Sequence, residues 1–176
     1  MNRVASKAEL KLLALVVGAA VTLTGCIGVG GSAAQSFTQL NRVDDSDDLL
    51  VTANANQRAG IDELNNDRVA NGLAPLTSHV ALIAYAQAWA EQLASESTIY
   101  HSTLPGVLTN QVDWQVLGEN VGMGPSIAAI QGGYMASPSH RANVLGTDNP
   151  FTHIGVGVAL NEQGKVFTVQ IFMVPR

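Results

Sequence analysis

Cysteine is nearly absent: Cys26 is the single one among 176 residues. The chain forms no internal disulfide, so the folded part must hold together by its core alone. Cysteine nucleophiles and thiolate metal sites are excluded from it as well. A membrane-spanning apolar stretch is also missing. The run Leu12 to Leu23 covers 12 residues, against roughly 20 needed to cross about 30 Å of hydrocarbon. Positive charge is sparse, with 9 Lys and Arg against 14 Asp and Glu and a net charge of −5. That balance argues against nucleic acid as a partner and against polybasic docking to lipid. No internal repeat is present.

What is present begins with a leader. Arg3, Lys7 and Lys11 precede the apolar run, and Leu23-Thr24-Gly25-Cys26 ends it. A basic start and a short apolar core make a signal peptide. The closing tetrapeptide resembles a bacterial lipobox, in which the cysteine is lipidated and becomes the mature N-terminus. Residues 1–25 are read as this lipoprotein signal peptide. Residues 26–52, rich in Gly and Ser and then in Asp (Asp44, Asp45, Asp47, Asp48), are read as a lipidated flexible tether. The acidic cluster lacks the glycine and distal glutamate of a calcium loop. The leader holds three basic residues and one acid, Glu9, so the mature part keeps 6 basic and 13 acidic residues, net −7. Lipid on Cys26, rather than surface charge, then holds the protein to a membrane.

Residues 53–176 are read as one domain. Ile61, Leu64, Arg68 and Val69 stand at helical spacing, closed by Asn71-Gly72. After an extended "APL", Thr77 or Ser78 is expected to cap a second helix, with Leu82, Tyr85, Ala86, Trp89, Ala90 and Leu93 on its buried stripe. The stretch through Pro105-Gly106 reads as irregular with a turn, and "VLGENVGMG" as short and glycine-punctuated. Ile127, Ile130 and Tyr134 mark a further helix, and Pro138 restarts one that carries His140 and Arg141. "THIGVGVAL" and "KVFTVQIFMV" are two strands joined at "NEQG". The last puts Val166, Thr168, Gln170 and Phe172 on one face. Helices first and strands late give an α+β fold.

Of four histidines, His79 lies at the start of the second helix and His153 at the start of a strand. His101 and His140 sit among small polar neighbours. Glu119 is an acid in an apolar, glycine-rich stretch, where carboxylates seldom stand without partners. The three are 18 and 21 residues apart, so spacing alone does not join them.

The ordered set "LNNDRVANGLAPL", "HS", "GENVGMG", "SPSHRANVL", "IGVGVAL" and "FTVQIF" resembles a bacterial member of the CAP superfamily, also called the SCP domain, over about residues 57 to 174. The resemblance implies a three-layer α-β-α sandwich and a cleft lined by His101, Glu119 and His140. Tyr134 stands where relatives carry a tryptophan, the acid that follows it there is missing here, and Ser139 replaces the glycine of "SPGH". Two histidines and a carboxylate are a set that can bind a divalent metal such as zinc with an open position. The alternative is a hydrogen-bonded polar network, with Glu119 paired to an imidazole or to Arg141. The functional expectation is a cell-envelope binding or interaction module that takes a small apolar or envelope-derived ligand, without assigned catalysis. The second reading is a metal-dependent hydrolase of peptide or cell-wall material. The anchor places it in the outer membrane of a Gram-negative host, otherwise on the outer face of the cell membrane.

Overall fold

The computed structural model describes residues 2–6, 53–108 and 111–176. The rest of the leader, Cys26 and the tether lie outside the described residues. Its elements are β1 (Asn2–Ser6), α1 (Ala55–Ala70), β2 (Thr77–Ser78), α2 (Val80–Glu96), α3 (Leu104–Leu108), β3 (Trp114–Gly124), α4 (Ile127–Ala136), α5 (Pro138–Leu145), β4 (His153–Leu160) and β5 (Val166–Pro175). One sheet runs β1-β3-β5-β4-β2. Its pairs are antiparallel except β2 with β4. The expected α+β sandwich is thus what forms, with helices on both faces.

The faces follow from the pleat. Leu117 and Val121 of β3 join Phe167, Val169, Ile171 and Met173 of β5 in a core with α2 and α3. Ile154, Val156 and Phe172 form a second core with Ile61 and Leu64 of α1 and Tyr134 of α4. The alternation expected for the last strand is therefore the observed one.

Helix α1 begins with a capping box: Asn54 Oδ1 accepts from the Gln57 N–H, and Gln57 returns a bond to the Asn54 N–H. It ends at Asn71, as expected. Of its four marked residues, Ile61, Leu64 and Arg68 are buried, whereas Val69 is exposed. Two other expectations are corrected. Thr77 and Ser78 do not cap α2. They pair with β4, and His79 becomes the N-cap without a side-chain cap bond. Their backbone is committed to the sheet, with the His79 N–H continuing to Ile154 O. The Pro105-Gly106 stretch is the short helix α3. Proline is tolerated in a first turn, where its missing N–H has no helical acceptor.

"VLGENVGMG" is the core of β3, an 11-residue strand. Gly118, Gly122 and Gly124 share one of its faces. A Cβ there would come within 2.8 Å of Phe151, 2.7 Å of Ile130 and Tyr134, and 2.8 Å of Ile130, respectively. The glycines seat α4 and the segment after α5 directly on the strand.

Arg68 fastens α1 to the end of α5. Its Nε donates to Ala74 O at 2.9 Å and its Nη1 to Val144 O at 2.7 Å. Arg68→Met would keep most of the buried stem and remove both donors. Loss of the donor to the buried Val144 carbonyl, and of the one to the partly buried Ala74 carbonyl, makes the expected loss roughly 2–4 kcal/mol, read as a lower urea midpoint with unchanged slope.

Candidate functional site

The pleat of β3 sends Glu119 toward α2 and α3 and Asn120 to the opposite face. Glu119 is fully buried. Its carboxylate accepts the Ser102 N–H at 3.0 Å and the Ser102 hydroxyl at 2.5 Å. His101 Nδ1 lies 2.5 Å from Oε1. Three donors on two oxygens satisfy this buried acid. A carboxylate acceptor calls for the proton on Nδ1, which leaves His101 Nε2 as an acceptor or base. The His101 side chain is 21% exposed, so this pair meets solvent through the imidazole. Of the two partners expected for Glu119, the structure selects the imidazole. Arg141 donates to Asn71 Oδ1 instead.

His140 stands at the third position of α5. Its Nδ1 lies 2.7 Å from Ser137 Oγ, on the N-cap residue. Its ring packs at 5.2 Å on Tyr134. Tyr134 is buried, with its hydroxyl 2.9 Å from Thr168 Oγ1. Burial raises its pKa, the Thr168 hydrogen bond opposes this, and the charge of Glu119 adds to it, so the phenol keeps its proton.

A run of amides ties α5 to the sheet. Asn143 Nδ2 donates to Asn120 Oδ1 at 2.9 Å, and Asn120 Nδ2 donates to Gln170 Oε1 at 3.1 Å and to His140 O at 3.2 Å. Gln170 Nε2 donates to Gln131 Oε1 and Gln131 Nε2 to Asp67 Oδ2, each at 2.7 Å. Every amide points the same way, and the chain ends on a carboxylate. Aligned in this way, buried hydrogen bonds polarise one another, and α5 is held in one position against β3.

Beside His140 lies a cavity of about 310 Å³, lined among others by Ile99, Val121, Met123, Ile130 and Tyr134, with Ser137. Its walls are mainly apolar, and Ser137 and His140 supply the polar end. Ile99 is two residues before His101, and Val121 two after Glu119, so the cavity adjoins the buried acid pair.

The structure therefore joins His101 to Glu119 and sets His140 at the neighbouring cavity. Among the described residues no group of three or more His, Cys, Asp or Glu side chains could hold a metal ion. The donors as arranged do not assemble a three-ligand centre. His79 and His153 lie apart from this site, with rings 6.0 Å from one another. Sequence reasoning did not single out Ser102, Ser137 or the amide run. Asn120 and Asn143 were inside the quoted "GEN" and "HRAN", on β3 and α5, and a polar Asn among apolar neighbours was the available signal.

A model of the cysteine-rich secretory protein family, CAP, matches residues 61–172. No curated protein matches the chain in sequence. Among solved structures, an outer surface protein of Borrelia burgdorferi is 18% identical with a TM-score of 0.59, covering 68% of this chain and 92% of that one. An extracellular SCP-domain protein of Bacillus anthracis is 26% identical with a TM-score of 0.53, covering 67% of this chain and 40% of that one. A cysteine-rich secretory protein of Staphylococcus aureus is 22% identical with a TM-score of 0.53, covering 69% and 40%. The chain thus spans 40% of the length of the last two.

Proposed function

The chain belongs to the CAP family of cysteine-rich secretory proteins, and from that premise we propose that it is an exported, lipid-anchored binding module of the cell envelope. The apolar cavity beside His140 carries this reading. It is a concave, mostly apolar space with a few convergent polar groups, the usual form of a ligand site, and we assign it a small apolar or envelope-derived ligand. The extracellular and outer-surface relatives support a location outside the cytoplasm. The leader and Cys26 supply the anchor, at the outer membrane of a Gram-negative host or the outer face of the cell membrane otherwise. Among the described residues no helix is long and apolar enough to cross a membrane.

The His101–Glu119 pair would also serve a hydrolase by orienting a base, and among the described residues no group of three or more His, Cys, Asp or Glu side chains could hold a metal ion. The cavity is the observation that favours binding.

Two measurements test it. The Cys26→Ser variant is expected to stay unprocessed or to leave the membrane pellet, and unchanged mass and fractionation would remove the anchor. Thermal shift against lipid, sterol and glycan panels is expected to give at least one saturable stabilisation. A flat response across all three would remove the ligand.

A further inference from the structure

We propose that the outer edge of β3 receives an extended peptide, which lies antiparallel to the strand and delivers a large apolar side chain into the cavity beside His140. This rests on the reading of that cavity as a ligand site, and on removal of the leader at Cys26.

The edge is already shown to accept a strand. Asn2–Ser6 pairs antiparallel with β3 from Val116 to Asn120, with Asn2 opposite Asn120 and Arg3 opposite Glu119. Yet these five residues belong to the segment read as the leader, to which the sequence assigns no strand. A chain beginning at Cys26 lacks β1, and the same backbone ladder then faces outward.

Natural sheet edges are usually blunted by lysine, proline or an inward charge. The stretch "WQVLGENVGMG" contains no lysine, arginine or proline, and its one charge, Glu119, is buried on His101 and Ser102. Nothing in its composition repels an incoming strand. Peptides recognised this way gain affinity from main-chain bonds and specificity from pockets for alternate side chains. Here the pocket lies where β1 stops. A peptide following the β1 register and extending N-terminally passes Val121 and reaches Met123, both of which line the cavity. Met123 is 41% exposed, an adaptable apolar rim suited to varied side chains. The ligand class that fits is an extended, proline-free segment with a large apolar residue near its N-terminal end.

The test uses the processed protein extracted from membranes, with its mass reporting cleavage. The probe is fluorescein-labelled "MNRVASK", which reproduces residues 1–7 with the methionine leading. Saturable anisotropy is expected, together with slowed amide exchange over Val116–Asn120. N-methylation at alternate peptide amides should weaken binding at least about tenfold. A second arm uses the uncut full chain carrying Val4→Pro, which disfavours β1 pairing while the leader is still attached. It should bind the probe more tightly than the uncut wild type. Absence of saturable binding in both arms overturns the proposal and leaves the small-ligand reading to its own thermal-shift test. So does equal binding of the N-methylated or a scrambled peptide, or a processed protein whose β3 edge pairs with a second copy.

Discussion

Gly157→Ala is expected to cost roughly 3–5 kcal/mol, a large share of the 5–15 kcal/mol typical of a domain. Helix α2 lies so close to β4 that a Cβ on Gly157 would fall 2.0 Å from Ala86 O and 2.1 Å from Ala86 C. At Gly155 it would meet Leu82 C at 2.2 Å and Ile83 N at 2.4 Å. These are helix backbone atoms, which cannot swing aside as a side-chain tip would. The helix must lift off the sheet instead, loosening Leu82, Ala86, Ala90 and Leu93 from Phe167, Val169 and Ile171 together. Gly132→Ala provides the opposite sign. It lies on the exposed side of α4 with nothing within 4 Å of a new Cβ, and is expected to stabilise by about 0.5–1 kcal/mol. Urea midpoints of the two variants measure the contrast. Equal midpoints would mean that α2 does not sit at this distance.

Glu119→Ala is the second large effect. It removes the acceptor shared by His101 Nδ1, the Ser102 N–H and the Ser102 hydroxyl, and strands buried donors beneath the site. The expected loss is roughly 3–5 kcal/mol. Glu119→Gln keeps the volume but turns an NH₂ toward groups that themselves donate, for an expected loss of about 1–3 kcal/mol. Both variants should also free the His101 ring. Its imidazole ¹⁵N shifts, fixed with Nδ1 protonated in the wild type, should move toward an exchanging mixture of tautomers. Unchanged ring shifts in both variants would show that the carboxylate does not orient the imidazole.

The elements that could be read from the sequence were those whose packing is one-sided or whose ends carry caps. Helix α1 shows its face and its Asn-Gly stop, and β4 and β5 show a hairpin. Strand β3 was hidden because it is buried on both faces. Leu117, Glu119 and Val121 pack on one side and the glycine stripe on the other, so no polar alternation marks it. Periodicity did not assign the strand that carries Glu119, and the resemblance alone grouped that residue with His101, the imidazole it bonds in the structure. The start of α2 was displaced because a two-residue pairing with β4, invisible locally, took Thr77 and Ser78 into the sheet. The His101–Glu119 contact joins residues 18 apart through a loop and a strand, a juxtaposition that only tertiary packing creates. The glutamines are the other gap. Gln131 and Gln170 look like surface residues, yet both are buried in the amide run, because each satisfies the next.

The central claim is that the space beside His140 holds an apolar ligand. Gly133 lines it, and a Cβ added there meets nothing within 4 Å, so Gly133→Leu adds bulk at this wall with no clash at its Cβ and is expected to displace the ligand. Wild type and this variant, purified from host membranes and each shown to be folded by a cooperative melting transition, can be extracted and analysed by mass spectrometry. The account predicts an apolar molecule released from the wild type and lost from Gly133→Leu. Identical extracts from both proteins would contradict it.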